Sequence, residues 1–244
     1  MDTNQAVSIL KSDGYIHLPG IFSLDFISKL KSETYNQLNI ESDQHDLPTK
    51  RVLTSLSFKN VFLEENFFSN EKISSILKSI LGPDFLIESF LIALTAPGSP
   101  MLHIHSDGGI LYSEKKNFSL PAHAIGFLVP LTKMNEVSGT TRIWPKSNTG
   151  LPYRNKNQHE KPFTDLDLEL GDIALLDTRT FHAGTPNQSD SLRPLLYVTF
   201  STPWYINQID FKEFSNFTLS DQDFNTISDS KKHMFVRRNI RLNV

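Results

Sequence analysis

The chain has 244 residues with 39% hydrophobic and 21% charged content, the balance of a globular protein long enough for one large β domain. A net charge of −3 with scattered Lys and Arg gives no basic surface for nucleic acid. The absence of Cys excludes disulfides and thiolate metal sites, and eighteen Phe against two Trp favour a thick apolar core.

Residues 1–40 carry two helical patterns around a short strand. Ala6, Ile9 and Leu10 share a helix face, and Asp13-Gly14 ends that helix. Tyr15 to Pro19 reads as a strand. Ser23 is placed to cap a second helix, with Leu24, Phe26, Ile27 and Leu30 on its apolar face. Residues 41–50 are polar and read as a loop. Ile73, Ile76, Leu77, Ile80 and Leu81 predict a third helix over 71–81, stopped by Gly82-Pro83.

From residue 84 the pattern changes to strands. Phe85 to Leu94 is a near-continuous apolar run, as for a strand buried on both faces. Pro97 to Pro100 is a turn, followed by a strand ending in His105 and Asp107. Ala122 to Leu131 is another apolar strand, and Thr141 to Trp144 a short one. Residues 146–164 read as a long loop that could serve as a lid. Asp167–Leu170 and Ile173–Leu176 read as strands joined by the tight turn Gly171-Asp172. Pro194 to Thr202 is the last strand, and a helix runs from Ser220 through Phe235. Short strands at regular spacing suggest a sandwich or barrel. One domain is expected over 1–244, with a helical part at about 1–82, a β core at about 84–204 and an extension at 205–244. No signal peptide or apolar span is visible, so a cytoplasmic protein without membrane contact is expected.

His105 and Asp107 are two apart, and residues i and i+2 of an extended chain point to one face. A neutral imidazole and a carboxylate are two thirds of the facial triad that holds non-haem Fe(II) and leaves positions open. His182 stands six residues past the strand ending at Leu176, again at a strand end facing loops. Arg193, eleven residues further on, opens the last strand. Buried there, its planar fork needs an anion, and the only acid close in sequence is Asp190.

These segments resemble the phytanoyl-CoA dioxygenase family of Fe(II)/2-oxoglutarate oxygenases, nearly end to end. The matching stretches are Asp13 to Gly20, Pro97-Gly98 before His105-Ser106-Asp107, Asn135 to Thr140 before Trp144-Pro145-Lys146-Ser147, Gly171-Asp172, the His182 segment and Arg193. The resemblance implies a mainly β protein with flanking helices, folded as a double-stranded β-helix (jelly roll, cupin-like). It implies His105, Asp107 and His182 as iron ligands and Arg193 as the partner of the distal carboxylate of 2-oxoglutarate. Fe(II), 2-oxoglutarate and O2 are then the cofactors. The implied reaction hydroxylates an unactivated C–H of a small or carrier-linked metabolite, releasing succinate and CO2. Asp107 itself argues for hydroxylation, because a Gly or Ala there would open a halide position, as in related halogenases.

Three departures from the family pattern stand out. Asn135 and Gly139 are separated where the family has Asn-Gly adjacent. Pro145-Lys146-Ser147-Asn148 replaces Pro-Gly-Ser-His. Gly184 stands where the family often has a Ser two residues after the distal His, leaving Thr185 and Thr199 as candidate hydroxyl partners of the co-substrate carboxylate. His103, Arg142 and Trp144 are candidate substrate contacts. Two other readings remain open: an inactive jelly-roll binding protein, and a cupin-type metal isomerase or hydrolase, which would not need Arg193.

Overall fold

The structure is a computed structural model that describes residues 1–108, 120–149, 160–206 and 216–239. Its helices begin where the sequence offers caps. Asp2 and Gln5 form a capping box at the start of α1 (Thr3–Asp13), and Ser23 Oγ accepts from the Phe26 amide at the start of α2 (Leu24–Leu38). Two short α-helical segments follow, α3 (Glu65–Phe68) and α4 (Glu71–Leu81), the second capped by Asn70. Ile9 and Leu24, expected on apolar faces, are exposed. The burial of Ala6, Leu10, Phe26, Ile27 and Leu30 suffices to dock the two helices.

Among the described residues nine strands form two antiparallel sheets. The larger has the order β1-β7-β4-β9-β3-β2, where β1 is Tyr15–Leu18, β2 Arg51–Ser55, β3 Leu86–Thr95, β4 Ala124–Pro130, β7 Ile173–Asp177 and β9 Arg193–Ser201. The smaller has the order β6-β5-β8, with β5 Thr141–Ile143, β6 Thr164–Leu166 and β8 His182–Gly184. The part expected to be helical thus supplies both edge strands of the large sheet, β1 and β2.

The period of two along each strand divides the interior. Ile125, Phe127 and Val129 of β4, and Leu196, Val198 and Phe200 of β9, face the helices in one apolar cluster. Leu128, Ala174, Leu176 and Leu195 face the small sheet, meeting Met134, Ile143, Leu166 and Leu168. The Phe surplus lies in the first cluster. Phe58 alone contacts the rings of Phe67, Phe90, Phe217 and Phe235 at 4.5 to 6.4 Å between centroids.

Several expected elements differ. The segment before His105 is not a strand; it makes only isolated bridges, because its neighbour β8 is three residues long. The strand expected at Asp167–Leu170 lies earlier, at Thr164–Leu166, and pairs with β5 rather than β7, so the expected hairpin is split between the two sheets. The tail helix stops at Thr226, and a turn at Ser228–Lys231 separates it from a 3-10 turn at Lys232–Phe235. α5 (Asp221–Thr226) does start at Ser220, whose Oγ accepts from the Asp223 amide. Most of the expected lid, 150–159, falls outside the described residues. No helix among the described residues is long and apolar enough to cross a membrane.

Phe58→Ala is expected to lower unfolding stability by about 3–5 kcal/mol, since four aromatic neighbours cannot all collapse into the space. Urea denaturation followed by circular dichroism reads that loss.

Candidate active site

The segment 103–108 crosses beside β8 on reciprocal backbone bonds. The His105 amide donates to the His182 carbonyl at 3.0 Å, and the His182 amide returns the bond at 2.8 Å. The Gly108 amide donates to the Thr178 carbonyl at 2.7 Å. A Cβ at Gly108 would stand 3.2 Å from that carbonyl oxygen, so glycine serves close approach here.

The bridge brings together side chains 77 residues apart. His105, Asp107 and His182 offer ligand atoms that all lie within 4.8 Å of one another. The imidazole centroids are 4.4 Å apart. Each ring is held by its Nδ1, 2.9 Å from the His103 carbonyl for His105 and 3.0 Å from the Thr180 carbonyl for His182. A carbonyl only accepts, so each Nδ1 carries a proton, and in the neutral ring Nε2 is then the atom left with a lone pair. Burial and the second imidazole push His105 below its ordinary pKa, which favours the neutral form.

His105 Nε2 lies 3.5 Å from Asp107 Oδ1, and His182 Nε2 lies 3.6 Å from Asp107 Oδ2. Those separations exceed a good hydrogen bond, and in this tautomer no proton lies between the atoms. Three lone-pair donors that face one another fit a cation at their centre, and two imidazoles with one carboxylate suit a non-haem iron. Tyr197 of β9 donates its hydroxyl to Asp107 Oδ2 at 2.6 Å and so fixes the carboxylate. Its ring occupies the place a side chain at Gly126 of β4 would need. No local motif marks Tyr197 as a site residue; the register of β9 carries it to Asp107.

Arg193 opens β9 and is 4% exposed. Its Nη1 donates to the carbonyls of Thr140 and Thr185, and its Nη2 to Thr95 Oγ1 at 3.1 Å. Its Nε has no partner among the described residues. Among the described residues no acid pairs with it; Asp190 accepts from Ser191 instead. Burial and the nearby Arg51 lower its pKa to about 10. Gly139, at φ +81°, leaves no room for a side chain, because Arg193 Nη1 and the Pro186 carbonyl fill that space. Arg193 lies beside Gly184, one same-face step of about 7 Å along β8 from His182. That is the length scale of a five-carbon dicarboxylate held at one end by a metal.

The other candidates fall differently. Thr185 Oγ1 is engaged with the amide and carbonyl of Thr140, so only its main-chain carbonyl meets the arginine. Thr199 pairs with Gly126 and Ser89, six residues or about 20 Å along β9 from Arg193, too far to share a carboxylate with it. The His103 side chain is exposed, and it is its carbonyl that serves the site, by orienting His105. Arg142 makes a bidentate cross-strand pair with Asp165 at 2.7 and 2.8 Å and stacks on Phe163, so its charge is already matched. Trp144 is 1% exposed, its indole N–H has no partner among the described residues, and its amide donates to the Phe181 carbonyl beside β8.

Known proteins share the sequence pattern and the fold. The family model for phytanoyl-CoA dioxygenase (PhyH) matches residues 10–195. Dioxygenase af480 of Aspergillus fumigatus is 22% identical over 214 residues, covering 83% of this chain and 68% of the relative. AviO1 of Streptomyces viridochromogenes superposes with a TM-score of 0.61 at 17% identity, covering 83% of this chain and 96% of its own. HygX of Streptomyces hygroscopicus, solved with nickel, 2-oxoglutarate and hygromycin B bound, gives a TM-score of 0.64 at 14% identity over 83% and 88% of the two chains. The two packed antiparallel sheets are therefore a jelly roll; they do not close into a barrel.

Tyr197→Phe is expected to weaken divalent-metal binding about 10- to 100-fold through loss of the bond to Asp107. Competition with a chromophoric chelator reads the change, and an unaltered far-UV spectrum shows that the fold is intact.

Proposed function

Because the chain belongs to the phytanoyl-CoA dioxygenase family and is a 2-oxoglutarate-dependent dioxygenase, we propose that it hydroxylates an unactivated C–H of a small or carrier-linked metabolite, releasing succinate and CO2. One observation carries the site assignment. Three metal-ligating side chains converge within 4.8 Å, and a buried guanidinium with no acid partner among the described residues lies one same-face step away. A metal and a dicarboxylate spanning that step would satisfy both.

His105, Asp107 and His182 would hold Fe(II), and Arg193 would bind the far carboxylate of 2-oxoglutarate. When bound, iron and 2-oxoglutarate supply the power to place one atom of O2 on substrate carbon and the other in succinate. The chain supplies position. The carbonyls of His103 and Thr180 hold the two imidazoles with Nε2 inward, and Tyr197 holds Asp107. Asp107 would hold the metal with a carboxylate oxygen, where a Gly or Ala would leave room for a halide, so its presence favours hydroxylation over halogenation. The buried surroundings of Arg193 strengthen its pull on a carboxylate, since few waters screen it. HygX binds hygromycin B, a small molecule, and this supports a small-molecule substrate here.

The test is an anaerobic titration of metal-free protein with Fe(II) and then 2-oxoglutarate, following the visible charge-transfer band of the chelate. The band is expected in wild type, lost in His182→Ala and, for Arg193→Ala, reached only at about 100-fold higher 2-oxoglutarate. No band in folded, iron-loaded wild-type protein would overturn the assignment and favour the inactive binding protein or the cupin-type enzyme.

A further inference from the structure

The site face of β9 continues past the metal ligands, away from Arg193, and polar groups wait there that the proposed chemistry does not use. Tyr197 links the two parts. Its ring lies where a Gly126 side chain would stand, and its hydroxyl bonds Asp107 Oδ2 at 2.6 Å, so the Asp107 carboxylate stands over the Gly126 backbone. Thr199 lies one same-face step beyond Tyr197. It pairs with Gly126 of β4 on one side and with Ser89 of β3 on the other. Gly126, Thr199 and Ser89 therefore form one row across the strands, beginning under Asp107.

Ser89 is 1% exposed, and its Oγ has no hydrogen-bond partner among the described residues. A buried hydroxyl in that state has lost its water without compensation. The ladder is also irregular here. The register shifts between Ile87 and Ser89 and leaves Glu88 unpaired, and such bulges re-aim side chains beside sites. Asn216 flanks Ser89 at the edge of β3, accepting from the Phe90 amide and donating to the Glu88 carbonyl. Its own Oδ1 is buried and has no partner among the described residues. Charges nearby are already matched, since Glu88 accepts from Arg237 and Ser201, and Asp107 from Tyr197.

Directly opposed residues stand about 5 Å apart at Cβ, so one polar atom set between Ser89 and Thr199 reaches both hydroxyls. The two do not bond each other, because Ser89 Oγ would then have a partner. A group that both donates and accepts suits this gap, and a hydroxyl does both. An alkyl carbon there would leave Ser89 Oγ buried and unpaired, and an ion would find no opposite charge free.

We infer that Ser89 and Thr199 bind a neutral hydroxyl of the substrate beside the metal ligands, and so select a hydroxylated small molecule, such as a polyol or sugar, over an acyl chain or an anion. Resting on the hydroxylase reading, this assignment adds the chemical class of the substrate. One strand spacing, about 4.8 Å, separates Thr199 from the backbone under Asp107. The bound hydroxyl is thus within about three bonds of the carbon presented to the metal, close enough to set which C–H is attacked.

The experiment uses protein loaded with Zn(II) and 2-oxoglutarate and carrying 13C in its threonine methyl groups. Thr199→Val identifies the Thr199 signal. The probes are glycerol, a neutral polyol, and propionate, a short chain ending in an anion. Glycerol is expected to shift the Thr199 methyl saturably, and propionate to leave it in place. Ser89→Ala is expected to weaken glycerol about 10-fold. Because it removes an unpaired buried hydroxyl, it is also expected to raise the thermal unfolding midpoint of the loaded protein without probe. A purely structural Ser89 would do the reverse, with a lower midpoint and unchanged glycerol binding. That result, no saturable shift with glycerol, or equal shifts with both probes overturns the inference. Fe(II)-loaded wild-type protein that gives no charge-transfer band with 2-oxoglutarate would instead remove the hydroxylase reading itself.

Discussion

The reciprocal backbone bonds between His105 and His182, at 3.0 and 2.8 Å, are the interaction on which the geometry of the candidate site depends. They set a connecting segment beside a three-residue strand, and everything in the site follows from that register. Both imidazoles project from the two bridged residues, and Asp107 follows one same-face step beyond the first. The carbonyls that orient the rings belong to residues two positions earlier on each segment, His103 and Thr180. Main-chain groups therefore decide the tautomers, and side chains around them are free to vary. The Gly108–Thr178 bond holds the same two segments together further along and resists their separation.

The alternation of β9 explains how one strand serves both a core and a site. Its even-numbered residues Leu196, Val198 and Phe200 are packed among the phenylalanines beneath the helices. Its odd-numbered residues face the small sheet, and these include Arg193 and Tyr197. The apolar face secures the strand, so the other face can carry an unmatched charge and a polar ring. Bringing the Arg51 and Arg193 guanidiniums together without an acid among the described residues works against stability. Such a local conflict between folding and charge is expected where a ligand completes the arrangement.

Glycines mark the site for reasons of space. Gly126 admits the Tyr197 ring, Gly139 admits Arg193, and Gly184 admits Arg51. Each clears a path for a long side chain that crosses from one sheet toward the other. The three departures from the family pattern are therefore not alike. The spacing of Asn135 and Gly139 still delivers a glycine beneath Arg193, whereas Gly184 leaves room for the Arg51 guanidinium.

By itself, the sequence determined whatever local chemistry dictates. The capped helices α1, α2 and α4 follow from Asp2, Ser23 and Asn70 with their helical spacing, and β3, β4 and β9 from continuous apolar runs. The family resemblance singles out His105, Asp107, His182 and Arg193, and the first three do come together in the fold. Only the tertiary structure decided the rest. β2 and β8 carry too little apolar pattern to be seen, and they exist because neighbouring strands pair with them. The separation of β6 from β7 into different sheets, the reach of Tyr197 to Asp107, and the row Gly126, Thr199, Ser89 all depend on register between strands far apart in the chain. Register is fixed by hydrogen bonds across strands and by burial of one face, and neither is written in the residues next door.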